Sequence, residues 1–302
     1  MASFDPILQE VEQRWPKNGE ARRLFHGRGH TYPGLEHVTL TAWPPYIQLA
    51  LFAEEEASWI EGLVDGLVNQ VEGLEGIVLQ ERAGRATKSS VAYGDVPETL
   101  TAQEHGLKYK IQPLKNQNVG LFLDMGHVRK DLTQEFRDAR VLNLFAFTCA
   151  FSVYALEHGA SLVVNNDMSR GSLDIGSENH QLNDHDLRAV RMLPHNVFKS
   201  WWKIRQLGPY DVVIIDPPTN QRGSFVAEKS YGQILKRIPE FAADGATIIA
   251  SLNSPFLGSD FVMNQMARWA PECRFISQYP VHADFPDAFP ERALKVLKFK
   301  FR

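Results

Sequence analysis

The stretch Asp211–Phe225, DVVIIDPPTNQRGSF, ends an apolar run with a carboxylate and two consecutive prolines. Val212, Val213, Ile214 and Ile215 are β-branched and suit a parallel strand buried on both faces. Asp216 stands where that strand must stop. Pro217 and Pro218 lack an N–H and hold φ near about −65°, and Pro217 restricts Asp216 itself to extended backbone. The result is a rigid ledge of carbonyls beside a carboxylate, at the strand end where open α/β sheets bind ligands. A second acid, Asp167, ends the run SLVVNND about 24 residues past Asn143. That is near the offset of roughly 20 residues at which a strand-end acid accepts ribose hydroxyls. Such an acid also serves as a helix N-cap or a solvated turn residue. Its pairing with Asp-Pro-Pro two strands later favours the ribose reading.

These residues need a sheet to carry them. From Arg140 onward strands and helices alternate: RVLNLF, AFSVYALEHG, SLVVNND, SRGSLDIGSENHQL, RAVRML, NVFKSWWKI, DVVIID, GQILKRIPEFA, ATIIASL and DFVMNQMARW. Repeated βα units of this length predict a Rossmann-like α/β fold with a doubly wound, mostly parallel sheet. The tail ALKVLKFKFR alternates apolar and basic residues like an antiparallel edge strand, its lysines guarding the edge. Before Arg140 the texture differs. Asp5-Pro6 followed by Ile7, Leu8, Val11 and Trp15 predicts a short helix, and Ile60, Leu63, Val64, Leu67, Val68 and Val71 a second one. HVTLTAW, YIQLALF and GIVLQ read as strands, whereas ARRLFHGRGHTYPG and ERAGRATKSSVAYGDVPET read as loops. The division expected is a smaller α+β domain over 1–115, assigned to substrate recognition, and a catalytic domain over 116–302.

The chain has 302 residues, 44% of them hydrophobic, and a formal net charge of −4. No global positive field advertises a polyanionic partner, although a local basic patch remains open. Cys149 and Cys273 are the only cysteines, too few for a disulfide framework or a cysteine-rich metal site, and the histidines lack metal-ligand spacing, so no metal is expected. No apolar run approaches the ~18 residues of a membrane span, and the N-terminus does not read as a signal peptide, which makes a cytoplasmic protein the expectation. The turn after the first strand of the alternating region, NLFAFTCAFS, has no G-x-G-x-x-G and argues against a dinucleotide dehydrogenase. Backbone N–H groups of such a turn still meet a nucleotide-like cofactor, with Asn143, Phe145 and Thr148 as candidate contacts.

VLNLFAFTCAFSVYALEHGA, NNDMSRGSLDIGSENHQLND, VVIIDPPT and GATIIASLNS resemble the successive motifs of class I S-adenosylmethionine-dependent methyltransferases. QEHGLKYKIQPLKNQNVGLFLD and DFPDAFPERALK further resemble the large-subunit (23S) rRNA methyltransferases acting on guanine N7 or cytosine C5. The similarity runs from about Tyr32 to the C-terminus, and leaves no room for the N-terminal RNA-binding module that many cytosine enzymes carry. It implies S-adenosyl-L-methionine as cofactor and structured RNA as partner. It also implies cofactor contacts from Gln117 and Asp124, from Asp167 to the ribose, and from Asn196, which falls near a family aspartate that accepts the adenine amino group. Phe145 and Met168 either flank the adenine or belong to the core.

Cytosine C5 is a weak nucleophile and needs a cysteine thiolate to add to the base first. In the cytosine enzymes that cysteine ends the strand resembling TIIASLN, where this chain has Asn253. A ring or exocyclic nitrogen attacks with its own lone pair, and Asp216 with the Pro217 carbonyl can hold base N–H groups beside it. DPPT with Asn253 is similar to the guanine-N7 members, so nitrogen methylation is favoured. Cys149 replaces a family glycine, where its side chain would crowd the cofactor or strain the backbone; Val119 replaces a threonine; Gly126 replaces an arginine that Arg129 is close enough to supply. These departures keep two alternatives: an RNA-binding or assembly factor with weakened catalysis, and a small-molecule methyltransferase. Arg22, Arg23, His26, Arg28 and His30, interleaved with Phe25 and Tyr32, form a basic segment suited to phosphates and stacked bases, or else a solvated loop. Arg222 and Lys229 flank the Asp-Pro-Pro ledge and are further candidates for RNA contact.

Overall fold

The computed structural model describes residues 2–84, 86–221 and 225–302. The chain divides into two compact units, Met1–Gly126 with His282–Phe289, and His127–Val281 with Pro290–Arg302. The division expected at 115/116 thus falls inside the first unit. Residues 116–126 stay with that unit because Val119, Leu121, Leu123 and Met125 are buried and Gln112 donates its N–H to the Val119 carbonyl.

In the first unit, β1 (Arg22–His26), β2 (Val38–Trp43), β3 (Tyr46–Leu51), β4 (Gly76–Glu81) and β5 (Lys88–Gly94) form a sheet in that spatial order. Helix α2 (Ala57–Gln70) joins the parallel pair β3–β4, and the other pairs are antiparallel. Side chains alternate across the sheet. Val38, Leu40, Ala42, Ile47, Leu49 and Ile77 join Ile7 and Val11 of α1 (Asp5–Arg14) and Leu63 and Leu67 of α2 in one core. Thr39, Thr41, Gln48 and Gln80 occupy the alternate positions and are also buried, so the second face is polar yet covered. A hairpin of β6 (Leu100–Glu104) and β7 (Leu107–Ile111) follows.

Two segments read as loops are strands. A bulge between Arg23 and Phe25 breaks the alternation in β1 and sends both Leu24 and Phe25 into the core, which hides the period of two. β5 is an edge strand with mostly exposed residues, so it carries little hydrophobic pattern.

The second unit is the predicted doubly wound fold. Its strands are β8 (Arg140–Leu144), β9 (Leu162–Asp167), β10 (Val190–Pro194), β11 (Tyr210–Ile215), β14 (Ala242–Leu252), β15 (Cys273–Gln278) and β16 (Lys295–Phe301); a small ribbon, β12 (Asn220–Gln221) with β13 (Phe225–Val226), lies apart. The spatial order is β10-β9-β8-β11-β14-β16-β15, with the first five parallel and β16 antiparallel to both neighbours. The tail strand is therefore not the edge, because β15 lies outside it. Its lysines are engaged accordingly: Lys298 pairs with Glu135, Lys300 donates to the Gly245 carbonyl at 2.7 Å, and Lys295 is buried and donates to the Ser254 carbonyl.

Helices α3 (Gly126–Asp131), α4 (Ala150–Glu157), α5 (Arg170–Leu182), α6 (Trp201–Leu207), α7 (Ala227–Leu235) and α8 (Ser259–Trp269) fill the connections. Tyr231, Ile234, Val262 and Met266 from α7 and α8 pack with Leu142, Val213, Ile248 and Leu297 from the strands. Each such side chain contributes about 1.5–3 kcal/mol by leaving water. Among the described residues no helix is long and apolar enough to cross a membrane.

Candidate active site

Chain order reverses between β8 and β11, and at such a switch point the ligand crevice of an open α/β sheet lies outside the carboxyl ends of the strands. Leu144 pairs with Ile215 on one side and Asn166 on the other. The turn after β8, Asp216 after β11 and Asp167 ending β9 therefore emerge side by side.

Phe145, Phe147 and Cys149 in that turn have φ of +60°, +48° and +65°. Left-handed backbone is unfavourable by roughly 1–2 kcal/mol for a residue with a Cβ, so the surroundings must hold it. The Ala146 N–H donates to the Asn166 carbonyl at 3.1 Å, the Phe147 N–H to Asp167 Oδ2 at 2.9 Å, and Asn179 Nδ2 to the Thr148 carbonyl at 2.9 Å. Asp167 Oδ1 accepts the Ser169 N–H at 2.8 Å, while Ser169 itself caps α5. The acid is half-buried, and each oxygen still carries a lone pair for a further donor.

Next to it, Met168, Pro194, His195, Asn196, Lys199, Trp202 and Lys203 line an open cleft of about 530 Å³. Met168 is 42% exposed there rather than in the core. Asn196 Oδ1 caps the following turn by accepting the Phe198 N–H at 2.9 Å. Phe145 packs edge-on against Phe225, with ring centroids 5.2 Å apart, and so belongs partly to the core.

Other expected contacts are buried supports. Asn143 donates to Asn165 Oδ1 at 3.0 Å, Asn165 to Ser152 Oγ at 2.8 Å, and Ser152 Oγ lies 2.9 Å from His180 Nε2. His180 Nδ1 meets His185 Nδ1 at 3.0 Å, and His185 reaches Glu157 at 3.3 Å. Burial and then the neighbouring His185 push His180 down to about 3, so it stays neutral inside this chain of polar groups. Thr148 is buried, and Arg129 is buried with its guanidinium 5.4 Å from the Phe151 ring centre on α4.

Cys149 carries the strain expected of a side chain in a glycine position, but it does not crowd the crevice. Its thiol is fully buried with Ala146, Leu173 and Met192, in space left by Gly176, where an added Cβ would lie 2.4 Å from the sulfur. Burial, then the Asp167 charge, pushes this thiol well up; Cys273 is pushed to about 12 by burial and Glu272.

The ledge is held from β14. Ser251 Oγ donates to Asp216 Oδ1, and the Tyr231 hydroxyl donates to the Ser251 carbonyl at 2.8 Å. Burial and then the Asp216 charge push the Tyr231 phenol up, keeping it a donor. Pro217 is buried and Pro218 exposed; Thr219 Oγ1 donates to the carbonyl of Asn253, whose residue is exposed. Asp216, Pro217 and Asn253 thus end adjacent strands on one rim. Lys229 is exposed on α7, and Arg222 lies outside the described residues.

Gln117 and Asp124 belong to the first unit, as do the basic residues near the N-terminus. Gln117 Oε1 accepts from Thr87 Oγ1 at 3.2 Å, and Asp124 is half-buried near Arg23. Arg22 forms a two-pronged pair with Asp284, both bonds 2.9 Å. Arg23 and Arg28 instead face a cavity of that unit. Sequence reasoning missed three residues: Ser251, which holds Asp216; Phe256, 90% exposed three residues beyond Asn253; and Arg82, beside Arg28. An aromatic in the polar segment NSPF and an arginine just past a strand were the available signals. Among the described residues no group of His, Cys, Asp and Glu is placed to hold a metal ion.

The strand order, the turn after β8 and the acid ending β9 define a class I methyltransferase fold. The chain belongs to the S-adenosylmethionine-dependent methyltransferase family, whose match covers residues 22–300. It is similar to a protein named ribosomal RNA large subunit methyltransferase I from Aliivibrio fischeri (strain MJ11), 26% identical over 85% of this chain and 69% of that one. A protein of the same name from Enterobacter sp. (strain 638) is 27% identical over 95% of this chain and 76% of its own length. A solved structure, a methyltransferase complexed with SAH, superposes with a TM-score of 0.84 at 22% identity, covering 99% of this chain and 82% of that one. The protein is a methyltransferase that uses S-adenosylmethionine. The residues fit such a cofactor: Asp167, a carboxylate with spare lone pairs, immediately precedes the exposed Met168, which lines an open cleft with Asn196.

Proposed function

We propose that the enzyme methylates a ring or exocyclic nitrogen of an rRNA base, guanine N7 before cytosine C5, with the first unit recognising the substrate. The observation that carries this is the ledge: Asp216 fixed by Ser251 beside Asn253, with both thiols buried and held protonated. Bound S-adenosylmethionine supplies an electrophilic methyl group. Asp167 accepts the ribose hydroxyls, while Met168 and Asn196 border the adenine. Asp216 and the Pro217 carbonyl accept base N–H groups and fix the base in plane, so that a nitrogen lone pair points along the line of attack without covalent help. Phe256 offers a face on which an extruded base can stack. C5 chemistry would need a thiolate at Asn253, and Cys149 and Cys273 are both withdrawn from solvent. The rRNA names of the relatives support the substrate class.

The test is mass spectrometry of rRNA nucleosides from a deletion strain. Loss of one 7-methylguanosine, restored by the gene, is the expected result. Loss of a 5-methylcytidine overturns the nitrogen assignment, and unchanged rRNA moves the substrate to a small molecule or the protein to a non-catalytic RNA-binding role.

A further inference from the structure

The polar face of the sheet in the first unit closes over a cavity of about 130 Å³. Thr39, Thr41 and Gln48 form its floor, at the alternate positions of β2 and β3, and Arg23, His26, Arg28 and Arg82 stand around it. The guanidiniums are braced by ring faces: Arg28 and Arg82 lie 4.0 and 5.1 Å from the Phe52 centroid, and Arg23 lies 5.0 Å from that of Phe285.

Three arginines converge here against one carboxylate, Asp124. Their proximity is unfavourable in the free protein. Burial, and the other two arginines, push Arg23 down to about 10 against the pull of Asp124; burial and Arg28 do the same to Arg82; burial, Arg23 and Arg28 hold His26 neutral, down to about 3. Two polar atoms, Arg23 Nε and His26 Nδ1, are shut off from solvent and hydrogen-bond to nothing among the described residues. Buried polar atoms are almost always satisfied, so an orphaned guanidinium N–H of Arg23, a residue that lines a cationic cavity, points to a ligand that brings acceptors and negative charge. A purely structural cluster would instead pair these arginines with acids, as Arg22 is paired with Asp284.

We propose that this cavity is an oxyanion site that grips a backbone phosphate of the substrate RNA through Arg23, Arg28 and Arg82, with the Thr39 and Thr41 hydroxyls as further donors. A tetrahedral oxyanion matches the donor set, because planar guanidinium forks bind phosphate oxygens in pairs and neutralise the charge they share. The RNA source rests on the function proposed above, whereas the oxyanion chemistry does not.

The test uses the full-length protein and three measurements. Inorganic phosphate is titrated while the Arg Nε–H resonances are followed by NMR; a labelled fragment of the rRNA is bound at several salt concentrations; and S-adenosylmethionine affinity is measured alongside. The Arg23 Nε–H resonance is expected to shift with phosphate. Arg28→Gln, at an exposed position, should weaken phosphate binding at least five-fold and remove roughly 0.7–0.9 from the logarithmic salt slope of RNA binding, with cofactor affinity unchanged. Arg82→Gln should act alike, and Lys236→Gln, an exposed lysine of the other unit, should not. Phosphate binding that Arg28→Gln abolishes, with the RNA slope untouched, overturns the RNA assignment in favour of a free phosphate-bearing ligand. No shift with phosphate and no change in slope overturns the oxyanion site altogether. RNA that binds through this cavity but is never methylated leaves the site standing and removes only the catalytic reading.

Discussion

Asp167 Oδ2 accepts the Phe147 N–H at 2.9 Å, so the acid that ends the second parallel strand also fixes the strained turn that follows the first. One carboxylate thereby sets two parts of the crevice. Asp167→Ala should lower S-adenosylmethionine affinity at least ten-fold by titration calorimetry, since a charge-assisted bond and the turn geometry go together. Asp167→Asn should fall between the two, because an amide offers one acceptor oxygen in place of two. Unchanged affinity in the alanine variant would leave Asp167 as a capping residue only.

Cys149 and Gly176 form a complementary pair. Alanine in place of a helical glycine ordinarily stabilises by up to about 1 kcal/mol, yet at Gly176 the new methyl meets the Cys149 sulfur at 2.4 Å. Gly176→Ala should therefore destabilise by about 1–3 kcal/mol. Cys149→Gly suits the +65° φ, and the double variant should recover most of the loss. Thermal melts of the four proteins give the coupling, and additive effects would refute the pairing.

Both thiols are buried and pushed up, and the proposed nitrogen chemistry uses neither. Cys149→Ala combined with Cys273→Ala should retain methyl transfer within a few-fold of wild type in a tritium-transfer assay. A covalent protein–RNA adduct through either cysteine would sink the nitrogen chemistry.

His180 links the sheet interior to α5 and is neutral when folded. Its folded value, about 3, lies below the ordinary value of 6.5, so the unfolded chain binds the extra proton. The stability it contributes is complete above about pH 6.5 and is lost progressively as pH falls toward 3, at up to about 1.4 kcal/mol per pH unit. Protection factors of the α5 amides, referred to the intrinsic exchange rate at each pH, should fall as pH is lowered through that window. His180→Gln should flatten the dependence, and an unchanged profile would mean that other groups set it.

The parallel sheet was legible because buried parallel strands are nearly uninterrupted runs of β-branched residues, as in Val212–Ile215, and because Asp-Pro-Pro marks a strand end in three letters. β1 was illegible because its bulge puts Leu24 and Phe25 on one side, and β5 because an exposed edge strand has no apolar face to display. At the site, Asp167 and Asp216 could be read from their places at strand ends. Asn143 could not be separated from them: strand register turns it inward onto Asn165, and pairing between distant strands leaves no local trace. The cationic cavity was half legible for the same reason. Arg23 and Arg28 were visible as a basic segment, whereas Arg82 joins them only through the folding of the sheet.

Asp216 is the residue on which the proposed chemistry turns, and its fixed position separates a catalytic from a structural role. Ser251 Oγ holds one carboxylate oxygen, at the end of the strand next to the one that Asn253 follows. Asp216→Asn keeps the shape and the strand stop but removes the charge and half of the acceptor capacity. It should reduce kcat about 100-fold on rRNA from the deletion strain, with S-adenosylmethionine affinity and melting temperature little changed. Ser251→Ala leaves the charge but removes a hydrogen bond that fixes the carboxylate, and should reduce kcat by a smaller factor, about ten-fold. A base held by Asp216 predicts this ranking of the two variants. If Asp216→Asn instead lowers the melting temperature while kcat is preserved, the Asp216 carboxylate serves as a strand terminator, and the base must be oriented by the other groups of the rim, the Pro217 carbonyl, Asn253 and Phe256.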